Sequence, residues 1–239
     1  MVGKCMSINF LQFAQYPNLK YGFSVRQDGS MHRRLERSNR EKYFRKIGIS
    51  PDRVVTAVLA HGAKVALVSG KAAGTTADDA DGLITDEKDL FLSVTAADCF
   101  ILYFSDPAKN VVGIVHVGWR GLLAGIVKNI VQAMVTNFKT DTQDILVGIG
   151  PGIRKCHFEI SPGDKIKYGA YPDFVLERDN KIFIDLAGII KTQLQDNGIL
   201  KEHIEDSGVC TYCEEKEYFS YRRDKPKEVQ PMVGYIGLI

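Results

Sequence analysis

Between Val54 and Val117 the chain is a succession of short apolar runs. VVTAVLA (54–60), LFLSVTA (90–96) and VVGIVHV (111–117) are separated by turn signals such as HGAK, TDEKD and SDPAKN. Runs of this length, rich in β-branched residues and closed by polar punctuation, read as strands. They follow one another without a helix between each pair, which argues against regular βα alternation and for mixed sheets. After them, Leu122, Ile126, Ile130, Met134 and Phe138 recur every fourth residue, with Leu123, Val127 and Val131 alongside, and read as one long amphipathic helix whose stripe packs on a core. ILVGIG (145–150) reads as a buried strand running into the turn PGIRKC. IFIDL (182–186) reads as a strand feeding the helix LAGIIKTQLQDN, which Gly198 stops, and VGYIGLI (233–239) as a closing strand. The Arg-rich stretch 26–46 reads as a loop followed by a helix from Asn39 that ends before Gly48. No repeat, low-complexity tract or linker divides the chain. The expected fold class is α/β in the mixed, α+β-like sense: a single domain, 1–239, of mixed β-sheets flanked by helices.

Three of the strand-like segments end beside a soft metal ligand. His61 follows the first, Cys99 follows LFLSVTAAD, and His116 lies in VVGIVHV. Strands ending together would bring one thiolate and two imidazoles to a common point. Such a set suits Zn²⁺, and three protein ligands leave a position open, as a catalytic site requires. The acids Asp78, Asp79 and Asp81 form a second cluster, in a loop, that reads either as solvated or as a hard-cation site. The helix after His116 opens at VGWRG, so its N–H groups and Arg120 favour an anion nearby.

Composition narrows the partners. The 31 Lys and Arg exceed the 29 Asp and Glu by so little that a broad nucleic-acid surface is not expected. No stretch is long and apolar enough for a membrane span, and the first residues lack the apolar core of a secretory signal. Five cysteines, an odd and sparse set, suit a reducing compartment, so the expected location is the cytoplasm. CTYC (210–213) is open to half of a zinc site or a redox pair but, with no second CxxC, reads as structural thiols, and Cys156 and His157 read as wall residues rather than ligands. The sequence has no GxGxxG after a strand, no Walker loop, no GxSxG elbow and no HxH pair.

Taken as ordered strings, HG (61–62), ADGLIT (80–85), TAADCFILYFSDP (95–107), VHVGWRGL (115–122), GIGPGIRKCHFEI (148–160) and FSYRRD (219–224) resemble the YfiH/YlmD family. That family was once labelled polyphenol oxidase laccases and is also called peptidoglycan editing factors. The resemblance covers nearly the whole chain. It implies a YfiH-like domain whose ligand arrangement is similar to that of cysteine-dependent toxin deamidases. It also implies a zinc enzyme of purine nucleosides: a phosphorylase acting on adenosine, inosine, guanosine and methylthioadenosine, with adenosine deaminase activity. The family's zinc ligands match His61, Cys99 and His116, which are then the catalytic centre, with Cys99 also open to a nucleophile's role.

Phosphorolysis needs a phosphate site, and guanidinium forks suit phosphate oxygens. Arg26, Arg120, Arg222 and Arg223 are the candidates, Arg120 foremost. Asp98, Glu159 and the acids of 78–81 are candidate proton shuttles. The chain departs from the family pattern at two places: Leu59 stands where a Gln is usual two residues before the first ligand, and RQDGSMHRRLERSN (26–39) is shorter and more charged than the usual Gly/Ser-rich loop. Three other readings compete. These are a Cu²⁺-dependent phenol oxidase, an editing hydrolase of cell-wall precursors, and a metal-stabilised binding protein.

Overall fold

The computed structural model describes residues 8–32 and 36–239. In chain order its strands are β1 (Leu19–Phe23), β2 (Val54–Val58), β3 (Val65–Leu67), β4 (Thr76–Asp78), β5 (Gly82–Thr85), β6 (Phe91–Ala96), β7 (Phe100–Asp106), β8 (Val111–Val117), β9 (Leu146–Ile149), β10 (Glu159–Ile160), β11 (Val175–Arg178), β12 (Lys181–Ile184), β13 (Ile204–Asp206) and β14 (Met232–Leu238). The α-helices are α1 (Arg37–Lys46), α2 (Trp119–Leu123), α3 (Ile126–Phe138), α4 (Leu186–Asp196) and α5 (Tyr221–Asp224). Five strands form one sheet in the order β1-β14-β6-β2-β4, six form another in the order β13-β9-β7-β8-β5-β3, and β10-β12-β11 make a small third. Both large sheets are mixed. In the first, β2 runs parallel to β4 and β6, whereas β14 is antiparallel to β1 and β6. In the second, the parallel pairs are β13 with β9 and β3 with β5.

The apolar runs are continuous because the six-stranded sheet is buried on both faces. Successive residues of β7 alternate between two cores: Phe100, Leu102 and Phe104 join α3 and α4, whereas Ile101 and Tyr103 join residues of the five-stranded sheet such as Leu92 and Ile236. Each fully buried Phe, Leu or Ile contributes roughly 1.5–3 kcal/mol. On the far side of the five-stranded sheet, Tyr43 and Phe44 of α1 cover Phe91, Val233 and Tyr235. No helix among the described residues is long and apolar enough to cross a membrane.

Two local readings are refined. The stripe from Leu122 to Phe138 belongs to two helices, because the chain turns through a left-handed Gly125 (φ 88°) between α2 and α3. Helix α1 starts at Arg37, two residues before Asn39. Asp185 caps α4 by accepting from the Gly188 N–H at 3.0 Å, and Gly198 leaves the turn beyond it at φ 88°.

A half-buried ion pair ties β13 to the turn after β9. Arg154 donates Nη1 and Nη2 to the two oxygens of Asp206 at 2.9 and 2.6 Å, and Lys191 reaches the same carboxylate at 2.6 Å. Burial alone would raise the Asp206 carboxyl, but Arg154 and Lys191 outweigh it and hold it at about 2. The folded value lies below the ordinary 3.8, so the carboxylate stabilises the fold above that pH and the contribution is lost as pH falls through about 2. Asp206→Asn is expected to lower stability at neutral pH by about 2 kcal/mol. The gap to the wild type, measured by urea unfolding, should close between about pH 4 and pH 2. A gap independent of pH would show that the carboxylate charge contributes nothing.

Candidate metal centre and active-site cavity

The chain crosses between the two large sheets by residues 59–64 (β2 to β3), 79–81 (β4 to β5) and 97–99 (β6 to β7). His61 sits in the first crossing, Asp81 closes the second and Cys99 closes the third. His116 is the penultimate residue of β8, paired in register with Ile101 at the start of β7. The structure thus brings together three residues that stand 38 and 17 positions apart along the chain (99 − 61 and 116 − 99). Their donor atoms all lie within 4.8 Å of one another. His116 is buried, Cys99 half-buried and His61 exposed. The two crossings that carry ligands are tight: His61 itself is left-handed (φ 57°), and so is Asp98 (φ 82°), immediately before Cys99.

Asp81, fully buried, organises the group. Its carboxylate accepts from the backbone N–H groups of Ala60, His61 and Gly62 at 3.3, 3.0 and 2.8 Å. It also lies 3.0 Å from His116 Nδ1, so the Nδ1–H donates to it and Nε2 is left as the ligand atom. One carboxylate therefore fixes both the loop that presents His61 and the tautomer of His116. Burial opposes the Asp81 charge, but His116 and the Gly62 and His61 amides outweigh it and keep the carboxyl below its ordinary value. For His116, burial works against the proton, yet the Cys99 sulfur and Asp81 raise the imidazole to about 9. Burial and the neighbouring His116 lower the His61 imidazole, which makes it a ready neutral donor.

These residues fit a metal ion. The donors are two imidazoles and one thiol, a set suited to zinc with an open position. The space is kept clear as well: a Cβ at Gly118 would lie 3.1 Å from Cys99 Sγ, 3.5 Å from His116 Cε1 and 3.6 Å from His61 Cδ2.

The three donors open into a cavity of about 490 Å³, within the roughly 300–1,000 Å³ of small-molecule sites. Trp119, Phe158 and Tyr221 supply aromatic wall, and Arg120 and Arg222 supply cationic wall. Arg120 stacks on Trp119 at 4.5 Å and has no carboxylate partner among the described residues. Arg222 gives Nη1 to the Glu159 carbonyl at 2.7 Å while lining the cavity. The other two arginines are engaged elsewhere. Arg26 pairs with Asp224 at 2.6 Å and stacks on Phe219. Arg223 donates to the carbonyls of Thr211, Tyr212 and Tyr218. Leu59 and His32, from the two segments that depart from the family pattern, both line the cavity.

The acids separate clearly. Asp78 and Asp79 are exposed while Asp81 turns inward, so the three do not gather round a cation. Asp98 lines the cavity but commits one oxygen to the Thr211 hydroxyl and the other to the Arg222 N–H, each at 2.7 Å. Glu159 faces Lys181 at 3.0 Å. The residue whose role sequence reasoning missed is Asp81. A usable signal was present, since ADGLIT places it at the mouth of an apolar strand, where a solvated acid is out of place.

A family model described as multi-copper polyphenol oxidoreductase laccase matches residues 13–238. The purine nucleoside phosphorylase YlmD of Geobacillus stearothermophilus is 32% identical over 213 residues, 84% of this chain and 77% of that protein. The purine nucleoside phosphorylase LACC1 of Mus musculus is 30% identical over 164 residues, 66% of this chain but 38% of its own length, so the chain matches well under half of that relative. Among solved structures, the hypothetical protein YfiH of Bacillus licheniformis superposes with a TM-score of 0.90 at 25% identity, covering 100% of this chain and 98% of that one. YlmD of Geobacillus stearothermophilus gives 0.88 at 28%, covering 96% and 94%. Fold, motif order and sequence agree, and the chain belongs to the YfiH/YlmD family.

Proposed function

We propose that the protein is a zinc-dependent purine nucleoside phosphorylase that takes adenosine, inosine, guanosine and methylthioadenosine, with adenosine deaminase activity at the same centre. The observation that carries this reading is the two-imidazole, one-thiol donor set opening into a cavity walled by aromatic rings and two arginines. The relatives named as purine nucleoside phosphorylases support it. In phosphorolysis a phosphate oxygen bonds to C1′ as the C1′–N9 bond breaks and its electron pair leaves with the purine. Arg120, with no carboxylate partner among the described residues, and Arg222 hold the phosphate by charge-assisted hydrogen bonds. Arg26 and Arg223 brace the segment that carries Arg222. Trp119, Phe158 and Tyr221 offer faces on which a purine stacks. His61, Cys99 and His116 would hold the ion, which when bound supplies Lewis-acid polarisation. Two imidazoles are too few for a multicopper centre, and the sequence has no HxH pair to enlarge it. The free thiols suit a cytoplasmic setting.

The test is chromatography of products after zinc-loaded protein meets adenosine with and without phosphate. Adenine that appears only with phosphate supports the reading. Inosine alone, whatever the phosphate concentration, reassigns the centre to deamination, and no product at all shifts the assignment to cell-wall editing. Arg120→Ala is expected to raise the phosphate KM about tenfold or more, the loss of one charge-assisted contact. An unchanged KM removes Arg120 from the role.

A further inference from the structure

A second group of soft donors lies outside the cavity. Cys156 and His157 come from the turn after β9, and Cys210 and Cys213 from the segment between β13 and α5. The four donor atoms all fall within 4.8 Å of one another. Cys156 Sγ is 3.5 Å from Cys210 Sγ and 3.7 Å from Cys213 Sγ, and Cys213 Sγ is 3.3 Å from His157 Nδ1. A disulfide needs sulfurs about 2.05 Å apart, so these spacings are not those of a bond. They are close to the edges of a zinc tetrahedron. Metal–ligand distances of about 2.3 Å to sulfur and about 2.05 Å to nitrogen give edges of roughly 3.8 Å between sulfurs and roughly 3.6 Å between sulfur and nitrogen.

We propose that Cys156, His157, Cys210 and Cys213 form a second zinc site, closed by four protein ligands and therefore structural. This inference does not rest on the phosphorylase reading.

The surroundings fit such an ion. Backbone N–H groups of Arg154, Tyr212 and Cys213 point at Cys210 Sγ, a pattern that stabilises thiolate ligands in a CxxC turn. The His157 ring is held flat against Tyr212, 3.9 Å between centroids at 13°, which fixes its orientation. Three thiolates and Zn²⁺ leave a net charge of −1, and two arginines are anchored on backbone carbonyls of the ligand segments. Arg178 donates to the Cys156 carbonyl at 3.2 Å, and Arg223 to the Thr211 and Tyr212 carbonyls at 2.9 and 2.8 Å. Cys213 is exposed, which gives the ion a way in.

The placement explains what the site does. The first ligand segment also carries Ile153 and Phe158, and the second leads into Tyr221 and Arg222, all of them cavity wall. The same segments also meet near the ligands through an isolated bridge between Gly152 and Cys210, the Arg154 contacts, the His157–Tyr212 stack and the Arg222 hydrogen bond to the Glu159 carbonyl. A four-ligand clamp thus fastens two sides of the cavity wall, without touching the substrate.

The test is zinc content by mass spectrometry of protein purified without added chelator, for the wild type, Cys213→Ser, Cys156→Ser and Cys99→Ser, with thiol titration of the unfolded, unreduced protein. The expected result is two zinc ions in the wild type. Each of Cys213→Ser and Cys156→Ser should lose one, keep the other and melt at lower temperature, while Cys99→Ser loses the other ion alone. Zinc content unchanged by both Cys213→Ser and Cys156→Ser overturns the proposal, as does a titration in which two thiols of the wild type are missing. Should a cysteine variant fail to fold, Co²⁺ substitution of the wild type and of His61→Ala decides. Visible bands of a tetrahedral, thiolate-rich site that persist in His61→Ala support the clamp, and their absence there overturns it. Because the clamp is counted by metal and not by turnover, its failure is distinguishable from failure of the phosphorylase assignment.

Discussion

On the proposed function, replacing His116 with alanine is expected to reduce phosphate-dependent release of purine base by about a thousandfold or more, and to abolish retention of the ion that His61, Cys99 and His116 would hold. His116 is the most buried of the three donors, 2% exposed, and its Nδ1 is tied to Asp81. Two remaining donors, one of them exposed, do not make a retentive site. Loss of Lewis-acid stabilisation amounts to several kcal/mol, and each 1.4 kcal/mol or so is a factor of ten in rate. Zinc content and initial rate, measured together on the folded variant, check the expectation. A variant that keeps near-wild-type turnover after losing its ion would place catalysis elsewhere in the cavity. Cys99→Ala divides the two roles open to that thiol. Loss of both zinc and activity fits a ligand, whereas full zinc occupancy with no activity makes Cys99 a nucleophile.

Much of this site was legible because its residues stand at strand ends. Apolar runs fix where strands lie, and a His or Cys that follows such a run is placed by the run. What the runs do not encode is which strands share a sheet. β2 and β6 belong to one sheet and β7 and β8 to the other, so His61 and Cys99, in crossings between the sheets, meet His116 of β8 in a long-range arrangement without a local pattern. The break at Gly125 escaped for a related reason, since the apolar stripe continues through it in phase. Cys156 and His157 look like ordinary wall residues until the fold lays CTYC against them. Among the four arginines, Arg120 stands foremost in the sequence because GWRG follows His116 and opens a helix, and packing separates it further: Arg120 stacks on Trp119 at the cavity, whereas Arg26 pairs with Asp224.

Asp81→Asn is expected to weaken zinc binding at the cavity about 10- to 100-fold, the usual effect of removing a residue that orients a ligand. The carboxylate receives four donors, three from the 60–62 backbone and one from His116. An amide of the same shape keeps one accepting oxygen and turns an NH₂ group toward N–H donors. Either the His61 loop loses its anchor or His116 loses the acceptor that holds its Nδ1 proton and frees Nε2 for the ion. Both outcomes act on ligand geometry, so activity at limiting zinc should fall sharply and recover in part when zinc is raised. A chelator-competition titration of the folded variant checks this, with thermal melting alongside. If Asp81 only stabilised the fold, melting temperature would drop while the zinc affinity of the folded protein stayed the same. Affinity within about twofold of the wild type would therefore reduce Asp81 from the residue that sets the ligands to an ordinary buried acid.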